Sequence, residues 1–167
     1  IQGPNGIVVG AVVVVNAFGD VVHPNSSNVL VGARRSTKSL QLANSSKWIK
    51  QGLTRKKFGA VTPYDSSVSN TTLGVIATNA DLSKKEIHQV AQIAHSGLAK
   101  VISPLHSTFD GDLIFAISYG KKKSDVNTIG LLGETALIDS VIRAVTKADG
   151  FGVIPAYKDV LKKKEIG

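Results

Sequence analysis

Residues 7–15 are Ile, Val or Ala at every position except Gly10. A strand that meets water on one side alternates apolar and polar side chains. A run without alternation belongs to a strand covered on both sides. The stretch falls short of the roughly 20 apolar residues a membrane helix needs, and its β-branched side chains favour extended chain. A chain that carries such a strand must also supply layers to cover it. Asn16 closes the run, residues 17–20 have the composition of a turn, and Val21-Val22 reads as a short second strand.

The covering layers lie downstream. Residues 72–78 read as a strand, and Ser83 with Glu86 matches a capping box, in which each side chain satisfies an orphan backbone N–H. Ile87, Val90, Ala91, Ala94, Leu98 and Val101 recur at helical spacing and predict a helix over 84–101, stopped by Ser103 and Pro104. Residues 113–117 predict another buried strand. Asn127 is the expected cap of a second long helix, whose apolar stripe holds Leu131, Leu137, Ile138, Val141, Ile142 and Val145 before Asp149-Gly150 ends it. A basic tail from Lys158 onward is expected to be helical. This order of strands and helices, with no internal repeat, predicts α/β layers. Residues 23–63 differ: they are polar and weakly patterned. A strand at 29–31 and a short helix within 47–53 are the elements expected there, with the rest mobile loop.

A length of 167 residues suits one domain, and 43% hydrophobic residues can build its core. With no cysteine there is no disulfide framework and no thiolate zinc site. There is no methionine either, so a chain starting at Ile1 is expected to be part of a longer product, its missing part upstream. The net charge of +8 is uneven: residues 1–70 carry eight Lys/Arg against Asp20 and Asp65, and residues 34–57 contain no acid. That basic stretch is interleaved with Ser, Asn, Gln and Thr around a single aromatic, Trp48, and reads as a solvated linker. A polyanion-binding module built on it is the non-enzymatic alternative. The Lys121-Lys122-Lys123 and Lys162-Lys163-Lys164 runs read as a loop and a tail. Neither a nucleic-acid nor a membrane partner is expected, and the expected location is cytoplasmic.

The chemistry centres on Asn70-Thr71, at the entrance of the 72–78 strand. A cut there would make Thr71 a new N-terminus, joining a nucleophilic hydroxyl to an α-amine whose ordinary pKa near ~8 lets it take up the proton. Asp110 and Asp112 flank Gly111; on extended chain their side chains share one side, where two carboxylates could hold a threonine amine. His88 and His95 are too far apart on one helix for a metal pair, and His106 is a candidate supporting residue. Neither a metal nor a cofactor is expected. The chain has no Gly-x-Gly-x-x-Gly, no P-loop and no Gly-x-Ser-x-Gly.

Several segments, taken in order, closely resemble one family. They are Asn16 after the Val-rich strand, Gly19-Asp20-Val21-Val22, Asn70-Thr71-Thr72-Leu73-Gly74-Val75, Ala94-His95-Ser96-Gly97-Leu98-Ala99, Ile102-Ser103-Pro104-Leu105-His106-Ser107, and Phe109-Asp110-Gly111-Asp112 with Phe115-Ala116. The family is that of the L-aminopeptidase D-amidase/esterases, with the β-aminopeptidases and the nylon-oligomer (6-aminohexanoate oligomer) hydrolase. The resemblance implies a precursor that cuts itself between Asn70 and Thr71, leaving residues 1–70 as the end of an α chain and 71–167 as a β chain. It implies Thr71 as nucleophile, Asn16 as oxyanion donor, and Asp110 and Asp112 hydrogen-bonded around the nucleophile. In the aminopeptidase branch the last two positions tend to be serine and glutamate; two aspartates look more like the nylon-oligomer branch. The implied fold is a four-layer αββα sandwich, of which 1–167 is the C-terminal part, a single hydrolase domain incomplete at its N-terminus. The implied partners are a small amide or peptide substrate, the missing part of the α chain, and copies of itself in a tetramer of αβ units. An acyltransferase of the ornithine acetyltransferase type is the nearest alternative enzyme.

Overall fold

The computed structural model describes residues 1–52 and 70–165. Strands β1 (Val9–Asn16), β4 (Thr71–Ala80) and β6 (Leu113–Lys122) form one sheet, and β2 (Asp20–Val22), β3 (Val29–Val31) and β5 (Ile102–Ser103) a smaller one. The helices are α1 (Ser45–Lys50), α2 (Lys84–Val101), α3 (Val126–Lys147) and α4 (Tyr157–Glu165). The larger sheet has the order β1-β4-β6, with β1 antiparallel and β6 parallel to the central β4. The return from β4 to its parallel neighbour runs through α2, as a parallel pair requires. The mixed α/β architecture follows the expected order of elements. Among the described residues no helix is long and apolar enough to cross a membrane.

The core lies between the larger sheet and the pair α2 and α3. Val90, Ala94, Leu98 and Val101 of α2 and Ile129, Leu137 and Val141 of α3 are buried with Val9, Ile76, Ala80 and Ile114 of the sheet. The two helices touch closely enough to exclude side chains at the crossing. A Cβ on Gly97 would lie 2.9 Å from the Glu134 carbonyl oxygen, and one on Gly130 would lie 2.8 Å from Ile93 Cβ. Glycine costs about 1 kcal/mol in a helix interior, and here it is required by the approach. The Ser83–Glu86 capping box forms as expected. The cap of α3 is Asp125, not Asn127: its Oδ1 accepts from Asn127 N at 2.9 Å and Thr128 N at 3.0 Å. A capping oxygen must reach amides two and three residues ahead, which puts Asn127 inside the first turn.

Among the described residues, nothing covers the other face of the sheet. Val12 is 71% exposed and Phe115 55%, and Val14, Leu73, Val75, Leu113, Ile117 and Tyr119 are exposed beside them. Among the described residues, 7–15 and 113–117 are covered on one side only, against the expectation of two, because both long helices lie on the same face.

The basic stretch also departs from a mobile linker. Arg34 bridges Leu42, Asn44 caps α1, and Ala43 and Ser45 are buried. Asp20 anchors the segment by accepting from Ala33 N at 3.1 Å and from the backbone N–H and the hydroxyl of Ser45. Burial pushes the Asp20 carboxyl above its usual range, against the lowering effect of these hydrogen bonds. The acid-free stretch is held by an acid outside it. Residues 53–57 of that stretch lie outside the described residues.

Candidate active site

Thr71 is the first residue of the central strand, directly opposite Asn16, the last residue of β1. Residues facing each other across an antiparallel pair project to the same side. The burial of β4 alternates, with Thr72, Gly74, Ile76, Thr78 and Ala80 buried toward the helices. Thr71 and Asn16 thus belong to the bare face, at its edge.

On the other flank the parallel ladder continues past β6 as a bridge between Asn70 and Asp110. Asn70 N donates to the Phe109 carbonyl at 3.1 Å, and Gly111 N donates to the Asn70 carbonyl at 3.0 Å. The Thr71 hydroxyl donates to the same Asn70 carbonyl at 2.6 Å. In this register Gly111 is the neighbour of Thr71, and a Cβ there would sit 3.3 Å from Thr71 Oγ1. Glycine keeps that side of the hydroxyl open. Asn16, Thr71 and Gly111 form a row across the end of the sheet, with the Asn70-Thr71 peptide bond in its middle.

Behind this row, on the helix side, lies a buried polar group. The Asp112 side chain is 1% exposed. Its Oδ1 accepts from Thr72 N at 2.7 Å, standing in for a ladder carbonyl. Its Oδ2, together with Thr72 Oγ1 and His95 Nε2, is buried without a hydrogen-bond partner among the described residues. His106 Nδ1 stands 3.7 Å from Asp112 Oδ2, and the His106 and His95 rings meet edge to face with centroids 4.8 Å apart. Burial, helped by His106 and opposed by Asp112, holds the His95 imidazole below its usual pKa. His106 takes a left-handed φ of 54°, a conformation that costs a non-glycine residue about 1–2 kcal/mol.

Asp110 works on the loops. Its Oδ1 accepts from Phe18 N at 2.9 Å and its Oδ2 from the backbone and hydroxyl of Ser107. The Phe18 and Phe109 rings lie 4.9 Å apart. The turn after Asn16 is thereby tied to the loop before β6, which fixes both ends of the row.

The model of Peptidase family S58 matches residues 1–156 of this chain. The chain belongs to peptidase family S58. It is 32% identical over 178 residues to an uncharacterized aminopeptidase of Mycobacterium tuberculosis, a match covering 93% of this chain and 48% of that protein. With an uncharacterized aminopeptidase of Mycobacterium leprae it shares 32% over 174 residues, covering 92% and 44%. With the 6-aminohexanoate-oligomer endohydrolase of Paenarthrobacter ureafaciens it shares 27% over 103 residues, covering 54% and 29%. The chain spans about half the length of its mycobacterial relatives. The family first indicated by the motifs is the one these matches show.

Within this S58 chain, Asn16 lies opposite Thr71, and Asn70 supplies the carbonyl that receives the Thr71 hydroxyl. Asp110 and Asp112 flank Gly111, but their hydrogen bonds go to Phe18, Ser107 and Thr72. Gly111 and His95 joined no site in the sequence reading. Gly111 could have been found by carrying the β4–β6 register back to Thr71; the signal for His95 was its place on the buried stripe of α2, beside Ala94 and Leu98. Among the described residues no group of three His, Asp or Glu side chains is arranged to hold a metal ion.

Proposed function

We propose that this chain is part of a self-processing amide hydrolase of family S58 that works through Thr71. One observation carries the reading: the Thr71 hydroxyl lies against the carbonyl of the preceding Asn70, 2.6 Å from its oxygen, with Asn16 opposite. Attack of Oγ1 on the Asn70 carbonyl carbon converts the peptide bond to an ester, and water cleaves the ester. The freed α-amine then serves as the base for its own hydroxyl. Thr71 attacks a substrate amide, Asn16 and backbone N–H groups stabilise the oxyanion, and water releases the acyl group. Asp112 and Asp110 hold the strand and loops that frame the hydroxyl.

The bare apolar face supports the rest of the reading. Among the described residues no layer covers Val12, Val14, Leu73, Phe115 and Ile117, an apolar face of the kind that packs against a partner. Relatives about twice as long have the chain to supply it. A second sheet on this face would complete an αββα sandwich and enclose the Asn16–Thr71 row at the junction. Association of such αβ units into a tetramer belongs to the same reading. The substrates fitting it are small amides or amino-acid oligomers, in line with relatives named as an aminopeptidase and as a 6-aminohexanoate-oligomer endohydrolase. The test is the intact mass of the whole protein under denaturing conditions, with N-terminal sequencing. Two chains are expected, one beginning Thr71-Thr72-Leu73; a single uncut chain that hydrolyses amides at full rate would overturn the reading.

A further inference from the structure

We propose that the backbone N–H of Gly111 is the main-chain oxyanion donor that works beside Asn16, first for the Asn70 carbonyl during self-cleavage and then for the substrate carbonyl in each turnover. The inference rests on the self-processing reading above and names the group that reading left open.

The Asn70 carbonyl oxygen receives the Gly111 N–H at 3.0 Å. Donors useful to an oxyanion lie about 2.7–3.1 Å from the position the charged oxygen takes, and an oxygen already held at 3.0 Å has little distance to move as its carbon turns tetrahedral. The carbonyl cannot easily turn away, because the Asn70 N–H is held by the Phe109 carbonyl at 3.1 Å and the bridge to Asp110 fixes both groups at once. When Thr71 Oγ1 attacks, the new carbon–oxygen bond pushes the carbonyl electrons onto the oxygen that faces Gly111. Collapse breaks the carbon–nitrogen bond, and the hydroxyl proton ends on the freed Thr71 amine. Water then adds to the ester, returning the hydroxyl and leaving Asn70 as a carboxylic acid. Charge develops on the same oxygen at each addition, so one fixed donor serves both.

The link to substrate turnover is chemical. The ester formed by self-cleavage is an acyl group on Thr71 Oγ1, and an acyl-enzyme is the same thing with a different acyl group. Its carbonyl starts from the same oxygen, so it reaches the same donor once Asn70 has withdrawn. Position 111 also suits a residue without a side chain: a Cβ would stand 3.3 Å from Oγ1, where the attacking oxygen must move.

The test replaces Gly111 by glycolic acid in the whole precursor, exchanging the N–H for an ester oxygen of nearly the same shape. Cleavage of the 70–71 bond, followed by gel and intact mass, should slow about 100-fold or more. After slow processing has finished, the active sites are titrated and kcat on a chromogenic amide is taken per titrated site; kcat should fall on the same scale with KM little changed. Cleavage and kcat per site both within about threefold of wild type would overturn the proposal while leaving Thr71 as nucleophile. A loss confined to the number of titratable sites, with normal kcat per site, would also overturn it, since the N–H would then only hold the structure. A wild-type precursor that never cuts at 70–71 would overturn the self-processing reading and this proposal with it.

Discussion

Asp20 and Asp112 are carboxylates removed from water to a similar degree, the first 1% exposed as a residue and the second 1% exposed in its side chain. Their surroundings differ. Asp20 accepts from the Ala33 N–H and from both the N–H and the hydroxyl of Ser45, so each oxygen has a donor. Asp112 accepts from Thr72 N with one oxygen and leaves the other without a hydrogen-bond partner among the described residues, beside His106. An unmade hydrogen bond at a buried polar atom costs about 1–3 kcal/mol. Around Asp20 the chain has avoided that cost, and the carboxylate staples residues 33–45 to β2. Around Asp112, one residue from the neighbour of Thr71, it has not. The number of donors, more than burial, separates the carboxylate that staples the chain from the one left with an open oxygen close to Thr71.

The sharpest way to break this comparison is at the row that Asp112 supports. Thr71→Ala should leave the precursor uncut and lower amide hydrolysis on the order of 10⁶-fold, the scale of losing the nucleophile in another hydrolase. Thr71→Ser should retain part of both activities. Hydrolysis by the alanine variant near the wild-type rate would move the nucleophile elsewhere and remove the reason for setting Asp112 apart. Asn16→Ala should slow turnover about 100-fold, as loss of an oxyanion donor does; normal turnover would take Asn16 out of the site.

Exchanging the two carboxylates for neutral side chains tests the comparison itself. Asp112→Asn keeps an acceptor for Thr72 N, so its unfolding free energy should stay within about 1 kcal/mol of wild type. Its turnover should fall about tenfold to 100-fold, because small displacements near a reacting atom are expensive. Asp20→Ala should do the reverse. It orphans the buried donors of Ser45 and should lose about 3 kcal/mol in denaturant unfolding, with kcat per titrated site unchanged. If both variants lose stability alike and activity alike, the donor count distinguishes nothing.

The sequence carried the elements well and their surroundings poorly, for a physical reason. The helix α2 was legible from its capping box to Val101 because spacing and caps are local properties. The strands were legible as apolar runs, but an apolar run reports a need for burial and not whether the same chain meets it. Hence the bare side of Val12, Val14 and Phe115 was unforeseen. The anchoring of residues 34–52 was missed because its acid, Asp20, lies outside the acid-free stretch. At the site, Asn16, Asn70 and Thr71 stood in motifs. Gly111 did not stand out as a neighbour of Thr71, since that contact depends on the parallel register between β4 and β6.

The finest distinction concerns pH. Asp20 and His95 are shifted by burial in opposite directions, the carboxyl upward and the imidazole downward. For Asp20 the raised folded value means that its contribution to stability is fully present below the ordinary carboxylate range and is lost as pH rises through the folded value. For His95 the lowered folded value means the contribution is present above the ordinary histidine value of 6.5 and is lost as pH falls through the folded one. Below pH 6.5 the His95 effect lowers stability; burial is its main cause, and His106 and Asp112 are the neighbours that modulate it. Solvent screening of a half-buried ring keeps it under about 1 kcal/mol. Urea unfolding of the wild type should therefore show a small loss of stability on going to pH 5.5, and His95→Gln should flatten that loss. An equal or steeper acid loss in the glutamine variant would show that the imidazole is not kept neutral by the fold. It would also remove His95 from the buried polar group behind Thr71.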